Sequence, residues 1–215
     1  MFTGIIEEIG LIQNITEQNG GYRLALQAKL VLENTKLGDS IAVSGICLTV
    51  VKLGNNFFEV DVMPETWRRS CLSNMKSKAK VNLERALLPT TRLGGHLVSG
   101  HIDGKARLIN RDKQGNSLWY EFEPEPHLLK HIAYKGSIAL DGTSLTIAEV
   151  SRTTFTVGLI PTTQELTTLS FLQVGDQVNV ETDMIAKYLE RLLEYQNPQA
   201  RPTIDLEFLK RNGYA

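Results

Sequence analysis

The sequence is short of several features, and each shortage excludes a class of protein. It has only two cysteines, Cys47 and Cys71, too few for a disulfide framework or a four-cysteine zinc site. Lysine and arginine total 23 against 24 acidic residues, so the chain lacks the basic excess typical of a general nucleic-acid binder. No apolar run approaches the roughly 18 residues of a membrane-spanning helix. The first residues include neither a basic nor an apolar leader region, so we expect no signal peptide and a cytoplasmic protein.

The most informative feature that is present is an internal repeat. Shifted by 97 positions, residues 40–84 overlay residues 137–181 without a gap, and 15 of the 45 pairs are identical. Average residue usage would give about 3 identities by chance. At an offset of 96, residues 3–6 also overlay residues 99–102. The chain is therefore a tandem duplication, and its length suits two compact domains with a tail.

Each half has the pattern of an all-β domain. Short segments rich in β-branched and aromatic residues alternate with glycine, proline and asparagine turns, which is typical of small closed barrels. The predicted strands are Ser40–Val43, Leu48–Val51, Phe57–Val62 and Lys80–Glu84 in the first half, and Ser137–Leu140, Leu145–Ala148, Phe155–Leu159 and Gln177–Val180 in the second. Short helices are expected after Pro64 and Pro161, because proline favours the first helical position.

The exception to the β pattern follows the second repeat. From Asp183 to Tyr195 the chain reads as an amphipathic helix, with Ile185, Leu189, Leu192 and Leu193 on one face. This face packs either on its own barrel or on further copies of the chain, and both remain open. The expected domains are residues 1–92, 93–183, the helix 184–197 ended by Asn197-Pro198, and a tail 198–215 with a short helix at 205–210.

Differences between equivalent repeat positions mark where the halves do different work. Cys47 aligns with Ser144, Ile5 with His101, and Ser44 with Asp141. The second half therefore presents His101, Asp141, Ser144 and Thr146, of which the histidine is the natural proton shuttle near neutral pH. The alternative is purely structural: the hydroxyls satisfy strand ends, and Cys47 is a small buried apolar residue. His96 and His101, five residues apart, are expected on opposite faces and not on a shared metal.

Six segments, in order and spacing, resemble one known family. They are the start Met1–Ile6, Ser44–Thr49 (SGICLT), Met63–Thr66, Gly94–Ile102 (GGHLVSGHI), Asp141–Thr146 (DGTSLT) and Ile160–Thr163. Together they resemble the riboflavin synthase family, alpha-chain type, over residues 1 to about 196. The resemblance implies two six-stranded antiparallel Greek-key barrels and a C-terminal helix that joins a homotrimer. It also implies a dismutation of 6,7-dimethyl-8-ribityllumazine without cofactor or metal, and leaves open an association with lumazine synthase.

The resemblance further implies a set of substrate-binding positions. Those expected at the first barrel are Thr3, Gly4, Ile5, Ile6, Cys47, Leu48, Thr49, Asp61, Val62, Met63, Pro64, Glu65 and Thr66. Those expected at the second barrel are Gly100, His101, Ile102, Lys135, Ser144, Leu145, Thr146, Ile160, Pro161, Thr162, Thr163, Gln164 and Glu165, with Phe2, Ser40 and Asp183 added. For catalysis the expectation is His101 as the base with Ser144 and Thr146 near it, assisted by Asp141, while Cys47 or a water adds to the acceptor ring.

Three other functions compete with this interpretation. A non-catalytic chromophore carrier, such as the antenna proteins of luminous bacteria, would have the same fold with a degraded second site, whereas His101, Ser144 and Thr146 are present here. A flavin reductase barrel would need a nucleotide-binding domain, and no G-x-G-x-x-G follows a strand. A structural adaptor does not explain the Gly- and His-rich segment.

Overall fold

A computed structural model describes residues 1–18, 20–196 and 206–214 of the chain. Within them the two repeats form two closed barrels of six antiparallel strands each. The first barrel contains β1 (Glu8–Gln18), β2 (Gly21–Gln27), β3 (Ser40–Val43), β4 (Ile46–Leu53), β5 (Phe57–Val62) and β6 (Lys80–Arg85). The second contains β7 (Gly104–Gln114), β8 (Ser117–Pro124), β9 (Ser137–Leu140), β10 (Thr143–Val150), β11 (Phe155–Leu159) and β12 (Gln177–Thr182). The prediction of tandem six-stranded barrels is confirmed.

The two barrels have the same topology. Strands follow the order β1-β2-β5-β4-β3-β6 in the first and the equivalent order β7-β8-β11-β10-β9-β12 in the second. Even the bulges correspond, since the β4–β5 register shifts between Val50 and Lys52 and the β10–β11 register between Ile147 and Glu149. Alternation fills each interior: Ile46, Leu48 and Val50 point inward from β4, so the intervening Cys47 and Thr49 face outward.

The barrels meet through two equivalent turns. The two-residue loops Ser44-Gly45 and Asp141-Gly142 both have positive φ throughout, as a type I′ hairpin turn requires. They pack on each other so closely that a Cβ on Gly45 would lie 2.7 Å from the main-chain nitrogen of Gly142. A small apolar cluster of Phe2, Ala42, Val98 and Ala139 is buried beside them.

Two asparagines on the last strands cross between the barrels. The Asn82 amide of β6 donates to the Asp141 carbonyl at 2.9 Å, and its oxygen accepts from the Thr168 main-chain N–H at 2.7 Å. Asn179 of β12 makes the mirror pair, donating to the Ser44 carbonyl at 2.9 Å and accepting from the Cys71 N–H at 2.7 Å. Both side chains are fully buried, so the contact between barrels has an approximate two-fold symmetry.

The helices are few. α1 (Pro64–Arg69) and α2 (Pro161–Leu166) begin at the two expected prolines, and short 3₁₀ helices follow at Cys71–Asn74 and Thr168–Phe171; others lie at Leu30–Leu32 and Pro126–His131. Helix α3 spans Met184–Gln196. From Ile185 onward the chain forms a separate unit, which contains most of α3 and all of α4 (Leu206–Arg211). The expected helix end at Asn197-Pro198 and tail residues 198–205 lie outside the described residues. No described helix is long and apolar enough to cross a membrane.

Candidate functional site

Two equivalent polar patches lie on the outer faces of the barrels. On the first, Cys47 and Thr49 face outward from β4, and Ser40 of β3 lies directly opposite Thr49 in the register. On the second, Ser144 and Thr146 face outward from β10, and Ser137 of β9 lies opposite Thr146. We call these the Cys47 patch and the Ser144 patch. Three other expected residues, Leu48 of β4, Val62 of β5 and Leu145 of β10, point into the barrel cores instead.

Each patch is completed by a segment from the other repeat. The Ser144 N–H donates to the Gly4 carbonyl at 2.7 Å, and the Cys47 N–H donates to the Gly100 carbonyl at 2.8 Å. The expectation that residues 3–6 accompany Cys47, and residues 100–102 accompany Ser144, is therefore wrong within one chain. The reason is the two-fold packing of the barrels: Phe2 pairs with Val98 in an antiparallel bridge, which leads each segment onto the opposite barrel.

Glycine is needed where the segments cross. Gly4 and Gly100 have φ of +76° and +83°, a region that disfavours any residue with a Cβ. A Cβ on Gly4 would also lie 2.6 Å from the Ser144 Cβ, and one on Gly100 would lie 2.6 Å from the Cys47 Cβ. The main chain of each segment therefore packs directly against an outer strand, without room for a side chain at Gly4 or Gly100.

A buried carboxylate holds each segment from its own barrel. Glu84 of β6 accepts hydrogen bonds from the Thr3 N–H at 2.6 Å, the Thr3 hydroxyl at 2.7 Å and the Gly4 N–H at 3.0 Å. Glu181 of β12 accepts the equivalent bonds from Ser99 and Gly100, at 2.6 to 2.9 Å. Burial raises the pKa of Glu84 despite the Thr3 and Gly4 donors that favour its charged form. These two glutamates anchor the segments, and sequence reasoning did not select them although both appear among the identical repeat pairs.

The histidine beside Ser144 is His96. Its Nδ1 lies 2.7 Å from the Ser144 Oγ, and its side chain is only 9% exposed. His101, which was expected near Ser144, is exposed; its main-chain N–H bonds to Glu181, and it follows the glycine that contacts Cys47. Burial lowers the pKa of His96, although Asp183 and Glu181 oppose that shift. His96 was missed because the site was chosen from aligned repeat pairs, and the alignment used begins at residues 3 and 99.

Asp141 lies in the contact between barrels and not on an outer patch. Its Oδ1 accepts the Asn179 N–H at 2.9 Å, and its side chain is buried. Burial raises the pKa of this carboxyl to about 7, with the hydrogen bond from Asn179 acting in the opposite direction. Its repeat counterpart Ser44 fills the same turn with a neutral side chain. The geometry of Asp141 therefore suits a structural role at this contact.

The remaining expected positions divide between exposed and ion-paired side chains. Asp61 accepts two bonds from the Arg23 guanidinium at 2.7 and 2.9 Å, and this hydrogen bonding lowers its pKa. Glu65 pairs with Arg68 and Arg69, which lowers its pKa as well. Met63 and Ile160 are exposed at the equivalent strand ends before α1 and α2. Lys135 occupies a turn with φ of +63°. Thr3, Ile5 and Ser40 are among the residues that line a cavity of about 640 Å³.

Comparison with known proteins agrees with this geometry. A family model described as the lumazine binding domain matches residues 3–86 and 99–183, one copy for each barrel. The fold and its two patches therefore define a tandem lumazine-binding-domain protein.

Curated relatives narrow the class. The chain is 44% identical over 215 residues to the riboflavin synthase of Bacillus subtilis (strain 168), with all of both chains covered. It is 43% identical to the enzyme of Actinobacillus pleuropneumoniae, again over the full length of both. With the enzyme of Schizosaccharomyces pombe it shares 43% over 196 residues, which cover 90% of this chain and 94% of that one. The chain belongs to the riboflavin synthase family.

Solved structures of similar fold contain ligands. LumP complexed with 6,7-dimethyl-8-(1'-D-ribityl) lumazine superposes with a TM-score of 0.76 at 26% identity, covering 85% of this chain and 99% of that one. LumP complexed with riboflavin gives a TM-score of 0.77 at 27% identity over the same coverage.

Proposed function

We propose that the protein is a riboflavin synthase, a transferase that converts two molecules of 6,7-dimethyl-8-ribityllumazine into riboflavin and 5-amino-6-ribitylaminouracil. One lumazine gives a four-carbon unit to the other. The observation that carries the proposal is identity of 43–44% with curated riboflavin synthases over the whole chain, both barrels included.

The two patches support a reaction between two copies of one substrate. Each offers outward hydroxyls on equivalent strands, so both suit the same pteridine and ribityl groups. They differ at the centre, where one has the Cys47 thiol and the other the Ser144 hydroxyl. Two similar but unequal sites suit one donor and one acceptor. Holding the two lumazines together converts a bimolecular encounter into a nearly unimolecular step.

His101 is the base that we propose for the lumazine 7-methyl group. Its imidazole is exposed, and it belongs to the segment that completes the Cys47 patch. Cys47, or a water beside it, is proposed to add to the acceptor ring and tune its reactivity; the thiol is free and half-buried. Proton transfer by a positioned side chain contributes about 10²- to 10⁴-fold, which sets the scale of loss for a His101 variant.

A homotrimer is proposed from the apolar face of α3. Ile185, Leu189, Leu192 and Leu193 are 55–65% exposed on this helix. In the trimer we place the Cys47 patch of one subunit opposite the Ser144 patch of a neighbour. Replacing Leu189 and Leu192 by glutamate is expected to give monomers by sedimentation and to abolish turnover, whereas Glu194→Lys on the polar face keeps the trimer. A monomeric parent protein would refute this assembly.

Two further expectations depend on the same identity. A cytoplasmic location is proposed because both cysteines are free thiols, as in a reducing compartment. An association with lumazine synthase stays open, and co-sedimentation of the two purified proteins tests it.

The direct test mixes the purified protein with 6,7-dimethyl-8-ribityllumazine and EDTA and follows riboflavin absorbance. We expect half an equivalent of riboflavin per lumazine consumed. Tight binding with a fluorescence change and no riboflavin would mean a chromophore carrier, the alternative raised by the ligand-bound LumP structures. In that case the catalytic roles of His101 and Cys47 would be withdrawn.

A further inference from the structure

The Ser144 patch contains a part-buried polar pair, Ser144 and the buried His96, that the proposed reaction does not yet use. His96 contacts the Ser144 hydroxyl through Nδ1 at 2.7 Å, and its main-chain N–H donates to the Thr3 carbonyl at 3.1 Å. The segments around Gly4 and Gly95 enclose the pair, since a Cβ on Gly95 would lie 2.8 Å from the Ser144 Oγ. The Thr3 carbonyl therefore holds the main chain at His96, and the Ser144 hydroxyl holds the imidazole.

The surroundings of Nε2, the other ring nitrogen of His96, indicate which tautomer the ring adopts. His96 Nε2 is buried and has no hydrogen-bond partner among the described residues. If Nδ1 accepted the serine proton, Nε2 would carry a buried N–H with no acceptor, and orphaned buried N–H groups are rarer than under-satisfied acceptors. The tautomer with the hydrogen on Nδ1 avoids this cost. Burial also favours the neutral ring by lowering its pKa, although Asp183 and Glu181 favour the charged form.

This tautomer determines what Ser144 offers to a ligand. The Ser144 oxygen accepts from His96, and its main-chain N–H is already bonded to Gly4, so the hydroxyl hydrogen is free to donate outward. His96 is hydrogen-bonded to Ser144, whereas the matching position of the other patch, Cys47, is a free thiol. The two patches thus differ in a second way besides serine against cysteine.

We propose that His96 is a positioning residue, which donates from Nδ1 to Ser144 and fixes that hydroxyl as a hydrogen-bond donor to the lumazine on the second barrel. The inference deepens the proposed function, since it assigns how that site recognises an acceptor atom of its substrate. It also separates His96 from a serine-activating base, because a base would accept the hydroxyl proton.

Three variants test the direction of this hydrogen bond. His96→Asn replaces Nδ1–H by an amide N–H at a similar position and is expected to retain kcat/KM within about threefold, with an unchanged pH profile. His96→Leu has no donor and is expected to lower kcat/KM about five- to tenfold, mostly through KM, the scale of one hydrogen bond. In a Ser144→Ala background, His96→Leu is expected to have no further effect. An equal loss of kcat/KM in His96→Asn and His96→Leu would overturn the proposal. So would a loss from His96→Leu that is the same in the parent and in the Ser144→Ala background.

A measurement without turnover keeps the inference separate from the enzyme assignment. Nitrogen NMR of the ¹⁵N-histidine-labelled full-length protein reports the tautomer of each ring, and the His96 signals are those absent from His96→Asn. Protonation at Nδ1 is expected, whereas protonation at Nε2 would refute the proposal even if riboflavin is formed. If no riboflavin forms, lumazine fluorescence titration of the same variants should still order the affinities as parent, Asn, then Leu.

Discussion

Replacing Gly4 by alanine tests the exchange of segments between the barrels. The left-handed φ of +76° costs a residue with a Cβ about 1–2 kcal/mol. The new Cβ would lie 2.6 Å from the Ser144 Cβ and 2.8 Å from its main-chain nitrogen, well inside van der Waals contact. The segment must move away and weaken the Ser144 N–H bond to Gly4, a further ~1 kcal/mol. We expect a total loss of about 3 kcal/mol in the free energy of unfolding.

Gly115→Ala is the matched control. Gly115 has a similar φ of +63°, but nothing lies within 4 Å of its added Cβ. It should therefore report only the conformational cost, about 1–2 kcal/mol. Urea unfolding of both full-length variants measures the difference. Equal losses would refute the claim that Gly4 is tightly packed on the second barrel.

Thiol labelling shows which barrel each segment covers. Gly100→Ala should loosen the contact of that segment with Cys47 and accelerate its modification, whereas Gly4→Ala should leave the Cys47 rate near that of the parent. Cys71 is a silent background thiol, because burial raises its pKa to about 12. If Cys47 labelling were accelerated only in Gly4→Ala, the exchange of segments would be refuted, because each segment would then cover its own barrel.

Three further changes have defined outcomes. Asn179→Ala removes the partner of the buried Cys71 N–H and of the Ser44 carbonyl, so it should lower the free energy of unfolding by about 2–4 kcal/mol. Asn14→Ala, at an exposed position, is the control and should change it by near zero in the same urea titration. Asp141→Asn should stabilise the protein at pH 8 by up to about 4 kcal/mol and have little effect near pH 4. The Asp141 carboxyl, with a pKa of about 7, keeps its proton in the folded state, whereas the unfolded chain releases it near pH 4, so stability from this group is lost as the pH rises between those values. An equal effect of the substitution at both pH values would contradict a buried carboxyl. His101→Gln should reduce riboflavin formation at least 100-fold in the absorbance assay, while the exposed His127→Gln leaves it unchanged; normal turnover in the first would remove His101 from the mechanism.

The strands that sequence reasoning found are short segments rich in β-branched and aromatic residues between clear turn signals. β3, β5, β9 and β11 begin and end where the pattern predicted. The first two strands of each barrel were not assigned from the sequence. In β7, Ala106 and Leu108 are buried but every residue from Ile109 to Gln114 is exposed, so this half of the strand carries no periodic signal. In β8, burial of Leu118, Tyr120 and Phe122 does alternate, so that strand had a signal which the sequence reasoning did not use.

Repeat alignment selects equivalent positions for a candidate site but not how they group in space. Repeat alignment pairs Cys47 with Ser144 and Gly4 with Gly100, yet it does not say which copy contacts which. That choice depends on the packing of the turns at Gly45 and Gly142, a tertiary contact between residues 97 positions apart. The same method did not select His96, which precedes the aligned residues 99–102, although its position in the GGHLVSGHI segment offered a signal.

The residues that hold the two barrels and their segments together are the same in both repeats, whereas the centres of the two patches differ. The crossing asparagines, the anchoring glutamates and the segment glycines are identical pairs, and all of them are buried in contacts that both halves need. Two pairs that differ, Cys47 with Ser144 and Ile5 with His101, lie on or beside the outer patches. Asp141 against Ser44 is a buried difference, with a pH-dependent cost to stability. Unlike side chains at equivalent patch positions are what two barrels would show if they held the same molecule in different chemical roles.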